Sequence, residues 1–139
     1  MTDNIREFRA KTAESEKITI NLGFVDLGHI DLLVAETFYG NRTDFIRTAI
    51  RNQLERHAEA TRQTVARKAL VIGLRHVTRA ELEQLRTAGE KLDVRVLGLA
   101  SIADDVTPDL ARATIASMEI LGALHATAAV KAVLADRGG

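Results

Sequence analysis

Three polar side chains near the start of the sequence, Lys17, Thr19 and Asn21, are spaced two residues apart. Apolar residues stand between them, and this alternation is typical of a strand with one polar and one apolar face. We predict a strand over residues 17–23, whose polar face would donate and accept hydrogen bonds to another molecule. Its apolar face would consist of Ile18, Ile20 and Leu22.

This strand has no evident partner in its own chain. A single short strand is not stable by itself, because its backbone donors and acceptors need another strand. Two helix-like segments follow before any second strand of this kind. We therefore expect the same segment of another copy to pair with it, which would give a symmetric two-stranded ribbon that displays the polar row twice.

The other residues that could support chemistry form no recognisable site. The chain has no cysteine, which excludes disulfides, thiolate metal ligands and cysteine nucleophiles. The serines lack the glycine-elbow context of a nucleophile, and single glycines do not make a phosphate loop. We expect no enzyme, no metal and no cofactor. Four scattered histidines lack the spacing of a metal site: His29, His57, His76 and His125.

Charge is distributed unevenly, although 19 basic and 19 acidic residues cancel. Residues 42–68 hold 7 basic and 3 acidic residues, whereas residues 1–41 hold 4 and 7, and residues 69–139 hold 8 and 9. A local basic excess is typical of a DNA-binding element, and a solvated arginine-rich helix face has the same composition. We find no signal peptide and no apolar run near the roughly 20 residues of a membrane span, so we expect a cytoplasmic protein with no membrane partner.

Two helices are predicted after the strand. The first should begin with Asp26 as its N-cap and end at Gly40 in a left-handed turn. The second should begin with Asn41 as its N-cap and Asp44 as a box-like partner three residues later. Apolar residues at helical spacing would form the stripes of the two helices: Leu27, Ile30, Leu33, Val34 and Phe38 in the first, and Ile46, Ala49, Ile50 and Leu54 in the second.

The order of these elements resembles the ribbon-helix-helix family of DNA-binding proteins. The matching segments are KITINL for the strand and GNRTDFIRTAIRNQL for the turn and second helix, within residues 16–57. The resemblance implies that two chains pair their strands antiparallel and insert the ribbon into the major groove. It implies a dimer core formed by Ile18, Ile20, Leu22, Ile46 and Ile50.

The resemblance also implies which residues contact DNA. Lys17, Thr19 and Asn21 would face the base edges, where lysine suits guanine, asparagine suits adenine and threonine suits either. The start of the second helix would meet a phosphate, because free backbone amides and the helix dipole favour an anion there. The residues implied for that contact are Asn41, Arg42 and Thr43.

The C-terminal half contains a repeat of about two dozen residues. Apolar runs at 71–74, 96–99 and 120–123 align, with glycines 25 and then 24 residues apart. Each run precedes a helical segment that starts with threonine, at Thr78, Thr107 and Thr127, and Pro108 occupies a first helical position. Three strand-helix units of this length predict parallel strands. The region resembles a short leucine-rich repeat solenoid without its asparagine ladder, and a small three-stranded α/β layer is the alternative.

Together these patterns predict an α+β protein with an N-terminal ribbon-helix-helix dimer (β-α-α) and a C-terminal three-unit β-α repeat with parallel strands. The expected boundaries are a polar arm at 1–16, the DNA-binding domain at 17–57, a helical extension or linker at 58–68, and the repeat at 69–139. The repeat would form higher oligomers or bind an effector or a protein partner. The predicted function is a homodimeric regulator that binds double-stranded DNA; the alternatives are an antitoxin and a DNA-associated scaffold.

Overall fold

The computed structural model describes residues 15–138. Almost all of the predicted polar arm, residues 1–14, lies outside the described residues. The chain divides into two compact units, Met1–Ala60 and Thr61–Gly139, which we call the N-terminal and C-terminal units. None of the helices in the described part of the chain has the length and apolar character that crossing a membrane requires.

The segment predicted as a strand has no regular structure in a single chain. Residues 16–23 form neither helix nor strand, because no described segment of the same chain pairs with their backbone. Helix α1, Phe24–Ala35, begins with Gly23 at the N-cap position, so the predicted start at Asp26 is wrong. Asp26 lies instead in the first turn, where its carboxylate is favourably placed at the positive end of the helix.

The end of α1 also differs from the prediction. The helix ends at Ala35 rather than at Gly40, and Thr37 adopts the left-handed conformation with a φ of 65°. The amides of Thr37 and Phe38 donate to carbonyls of the last turn of α1, both at 3.0 Å. This pair of hydrogen bonds is a Schellman cap, and it satisfies carbonyls that the helix cannot satisfy itself.

Helix α2, Arg42–Arg56, begins as predicted. The Asn41 side chain accepts a hydrogen bond from the Asp44 amide at 2.8 Å, which confirms the N-cap. The Asp44 carboxylate in turn accepts from the amide of Gly40 at 2.9 Å. His57 caps the end of α2, and helix α3, Ala58–Lys68, follows it directly. The segment after α2 is therefore helical, and a break at His57 separates it from α2.

The C-terminal unit contains the three predicted strand-helix units. The strands are β1 (Val71–Val77), β2 (Leu92–Ile102) and β3 (Ile115–His125). They form a parallel sheet in the order β1-β2-β3, so the predicted parallel arrangement is confirmed. The helices are α4 (Arg79–Ala88), α5 (Pro108–Thr114) and α6 (Ala128–Leu134), and a short 3-10 turn at Ala135–Arg137 follows. The three predicted threonine caps each accept a hydrogen bond from a backbone amide of the first helical turn.

The core of this unit lies between one face of the sheet and the helices. Alternate residues of β2 point into it, because successive side chains of a strand point to opposite faces. The helices contribute their apolar sides, and the Thr114 hydroxyl, the buried polar group here, donates to the Leu110 carbonyl at 2.6 Å. The main contributors to this core are Val94, Val96, Ala100 and Ile102 from β2 and Leu82, Leu110, Val130 and Leu134 from the helices.

The three repeat glycines lie side by side across the sheet. Gly73 pairs with Gly98, and Gly98 pairs with Gly122, and we call these residues the glycine row. Their φ angles are 114°, 142° and 125°, a region that side chains disfavour. A Cβ atom on Gly98 would lie 2.2 Å from the Gly73 carbonyl oxygen, and one on Gly122 would lie 2.0 Å from that of Gly98. The close approach of neighbouring strands therefore requires glycine at both positions.

Candidate nucleic-acid interface

Both predicted faces of the segment before α1 are accessible to solvent. Lys17, Thr19 and Asn21 are exposed, as expected for a polar row. Ile18 and Ile20 are 69% and 58% exposed, and Leu22 is half-buried. Burying an isoleucine side chain contributes about 1.5–3 kcal/mol relative to leaving it in water, so two such residues side by side favour a partner surface.

Helix α1 is apolar on two sides. On the first side Ile30 is buried, and among residues 15–60 it is the only buried apolar residue. The second side carries Phe24, Val25 and Leu32, all strongly exposed, with Phe24 at 92%. An apolar side of a helix is normally buried against another element. A single N-terminal unit therefore lacks the surface that would cover α1.

The start of α2 is held in a fixed geometry. Tyr39 and Phe45 stack edge to face, with ring centroids 5.0 Å apart and an interplanar angle of 83°. Arg42 donates two hydrogen bonds of 2.8 Å, from Nε and Nη2, to the Asp31 carboxylate on α1. These hydrogen bonds from Arg42 hold the pKa of Asp31 below its ordinary value, so Asp31 stays ionised to a lower pH than an unpaired aspartate. In one free chain, the Arg42 guanidinium is thus engaged with α1.

The predicted phosphate contacts lie together at the start of α2. The Asn41 side chain is used as the N-cap, and Thr43 is exposed one residue into the helix. Both residues line a shallow polar depression. First-turn amides and the positive end of the helix dipole make such a place favourable for an anion.

Two arginines that sequence reasoning did not assign also line this depression. Arg47 and Arg51 follow Thr43 at steps of four residues, and this spacing places them on one ridge of α2. The spacing is visible in the sequence, and projecting the helix from Thr43 would have found them. They supply positive charge in the region where the basic excess of residues 42–68 lies.

Side chains that could bind a metal ion are not clustered in the described part of the chain. Within residues 15–138, no group of three or more His, Asp or Glu side chains is placed to hold a metal ion. The charged groups near α2 are suited instead to hydrogen bonding and to the attraction of anions.

Comparison with models of known protein families gave a match. Residues 13–131 match the family model described as the Ribbon-Helix-Helix transcriptional regulator family. The match covers both units of the chain, including most of the C-terminal repeat. Neither the curated proteins nor the solved structures gave a match.

Proposed function

The chain belongs to the ribbon-helix-helix transcriptional regulator family, and from this premise we propose that it is a homodimeric, sequence-specific regulator that inserts an antiparallel β-ribbon into the major groove. The family is one of DNA-binding regulators that form dimers in general, and it is typically non-enzymatic. In this proposal the ribbon is formed by residues 17–23 of two chains. The protein acts in the cytoplasm on the nucleoid and carries out no catalysis of its own.

The proposed dimer is supported mainly by the exposed apolar surface of the N-terminal unit. The proposed core residues are Ile18, Ile20, Leu22, Ile46 and Ile50, and in one chain they are exposed or half-buried. A second copy of the same strand would supply the missing backbone partners as well as apolar cover. The second apolar side of α1 would be covered by the same association.

The DNA-facing side follows from the alternation of the ribbon. With Ile18 and Ile20 turned to the dimer core, Lys17, Thr19 and Asn21 face away from it, towards the base edges. Asn41, Arg42 and Thr43 meet the phosphate, and Arg47 and Arg51 add positive charge along the same ridge. Both half-sites are read alike, because the two chains are related by a two-fold axis.

The base-reading role is tested by the double variant Thr19→Ala with Asn21→Ala. We expect a folded dimer that still binds DNA but no longer prefers its own site, because the phosphate contacts remain and the base contacts are lost. The measurement is selection of bound DNA from a random pool, followed by titration of selected and scrambled sites. An unchanged preference for the selected site would show that the ribbon does not read the bases.

The affinity of the unaltered protein for DNA should fall steeply as the salt concentration rises. An affinity that does not change with salt would contradict DNA binding through phosphates.

The phosphate role of Arg42 is tested by Asp31→Asn. This change releases Arg42 from α1, so Arg42 no longer has to leave a carboxylate before it meets a phosphate, and we expect tighter binding to DNA of any sequence. The control is Asp26→Asn, which removes the same charge from α1 but leaves the pair between Arg42 and Asp31 intact. Equal effects of the two substitutions on affinity would mean that Arg42 does not reach a phosphate.

The repeat at residues 69–139 is proposed as an oligomerisation or effector module. Its ordered core favours a regulator over the antitoxin alternative, because antitoxin tails are typically disordered until a toxin binds. The scaffold alternative would require the repeats to polymerise, and the mass of the full-length protein in solution distinguishes a closed dimer from that outcome.

A further inference from the structure

The sheet of the C-terminal unit has a second face on which apolar side chains are exposed. We call it the outer sheet face, and it is formed by the side chains of β1, β2 and β3 that alternate with those in the core. Two apolar rows cross its centre in register: Ile72, Leu97 and Leu121 in one, and Leu74, Leu99 and Ala123 in the other. Ile72 is 67% exposed and Leu121 is 50% exposed.

Polar side chains lie on both sides of these apolar rows. Towards the start of the strands, Glu119 contacts Lys68 at 2.6 Å and Arg95 at 3.6 Å, and the Ser117 hydroxyl donates to Asp93. Towards the end of the strands, His76 lies 3.1 Å from the Ser101 hydroxyl. The outer sheet face is thus an apolar centre with a polar rim, which is the usual layout of a protein interface.

The charges of the rim indicate which partner fits. Two basic and two acidic side chains lie there, so the face has no net sign that would attract nucleic acid or a strongly charged protein. Parallel sheets are normally covered on both faces, and among the described residues of the C-terminal unit the helices α4, α5 and α6 pack on one face. A second copy of the same face offers a matching apolar centre and a rim of balanced charge.

The size of the face indicates where that second copy comes from. The three strands have 7, 11 and 11 residues. At about 3.3 Å per residue and about 4.8 Å between strands, they give a footprint of roughly 450 Å² per copy. Stable interfaces between separate proteins bury about 800 Å² per partner, so this face alone is too small. Two chains already joined through another interface are held at millimolar effective concentration, and a small face is then sufficient.

We propose that the outer sheet faces of the two chains of one homodimer pack against each other about a two-fold axis that passes beside Leu97 and Leu99. The central strand β2 meets its own copy there, as an isologous contact requires. This inference rests on the proposed homodimer, which supplies the proximity. The C-terminal units then form a second contact between the two chains.

Cysteine cross-linking tests this contact in the full-length protein. The chain has no cysteine, so Leu97→Cys and Leu99→Cys each introduce a single thiol. A two-fold axis beside these residues places two copies of at least one of them across the roughly 10 Å that separates packed sheets, a gap that a short bifunctional maleimide spans. After treatment with that reagent, we expect most of that variant to migrate as two linked chains on a denaturing gel. The matched control is Thr87→Cys, an exposed position on α4, which should remain a single chain.

Two further measurements distinguish a failure of the contact between the outer sheet faces from a failure of the proposed homodimer. Adding Ile72→Glu to the cross-linking variant should lower the linked fraction severalfold, whereas adding Arg86→Glu on α4 should leave it unchanged. A protein of dimeric mass in which neither position 97 nor position 99 cross-links above the control would overturn this inference and leave the homodimer standing. If the unaltered protein has the mass of a single chain, both the packing of the outer sheet faces and the proposed homodimer are contradicted.

Discussion

Gly122→Ala is expected to unfold the C-terminal unit. The new Cβ atom would lie 2.0 Å from the Gly98 carbonyl oxygen, and contacts under 3.0 Å essentially never occur for real Cβ atoms. Both strands are fixed by the parallel ladder, so neither backbone can move away without losing hydrogen bonds. The φ of 125° adds strain of its own. We expect a loss of about 4 kcal/mol or more in the free energy of unfolding, measured by denaturant titration of the full-length protein.

Two other glycines provide matched controls for this substitution. Gly89→Ala affects a residue with a φ of 70° at the end of α4, where a Cβ atom meets nothing within 4 Å, so we expect a loss of about 1–2 kcal/mol. Gly73→Ala adds strain at a φ of 114°, also without a close contact, and should fall between the two. If Gly122→Ala were no more harmful than Gly89→Ala, the close approach within the glycine row would be contradicted.

Ile20→Asp is expected to abolish the homodimer. Each dimer would have to bury two carboxylates where two isoleucines were, which forfeits about 1.5–3 kcal/mol of apolar burial per chain and adds the larger cost of desolvating a charge. We expect a monomeric mass by sedimentation equilibrium and no measurable binding to the selected DNA site. The N-terminal unit should also lose helical signal, because among residues 15–60 only Ile30 is a buried apolar residue.

Asn21→Asp is the control for that substitution. It places the same side chain on the neighbouring residue, which faces the other side of the predicted ribbon. The mass should remain that of two chains, although DNA binding should weaken because a carboxylate would approach the bases and phosphates. A dimeric Ile20→Asp protein, or a monomeric Asn21→Asp protein, would show that the two faces of the ribbon have been assigned the wrong way round.

The features that the sequence predicted correctly depend on short-range chemistry. Asn41 and the three threonine caps each bind an amide three residues later, and this spacing can be read directly. The parallel sheet could be predicted because the glycine-containing runs recur at a nearly constant interval with one helix between them. The bounds of α1 could not, because Thr37, a β-branched residue, takes the left-handed position for which Gly40 was the better candidate.

The features that the sequence did not predict depend on how separate elements meet. The pair between Arg42 and Asp31 joins residues 11 positions apart on two helices, and no local pattern indicates it. The close approach between the backbones of neighbouring strands at the glycine row likewise depends on how the strands pair. The sequence shows only three single glycines. The segment at residues 16–23 has alternation but no ladder, because the predicted ribbon requires a second chain.

The glycine row also limits how the length of the C-terminal unit can change in evolution. Successive glycines are 25 and 24 residues apart, yet they remain opposite one another in the sheet. Helix α4 has 10 residues and α5 has 7, while the stretch between β2 and α5 is longer than that between β1 and α4. Insertions and deletions are therefore absorbed where the chain crosses from one strand to the next. The β2–β3 ladder has a register shift between Leu92 and Asp93 and is regular from there to the glycine row. A single residue gained or lost in that regular part would move a side chain onto the neighbouring carbonyl, so natural length variation should be confined to the crossovers and the strand ends.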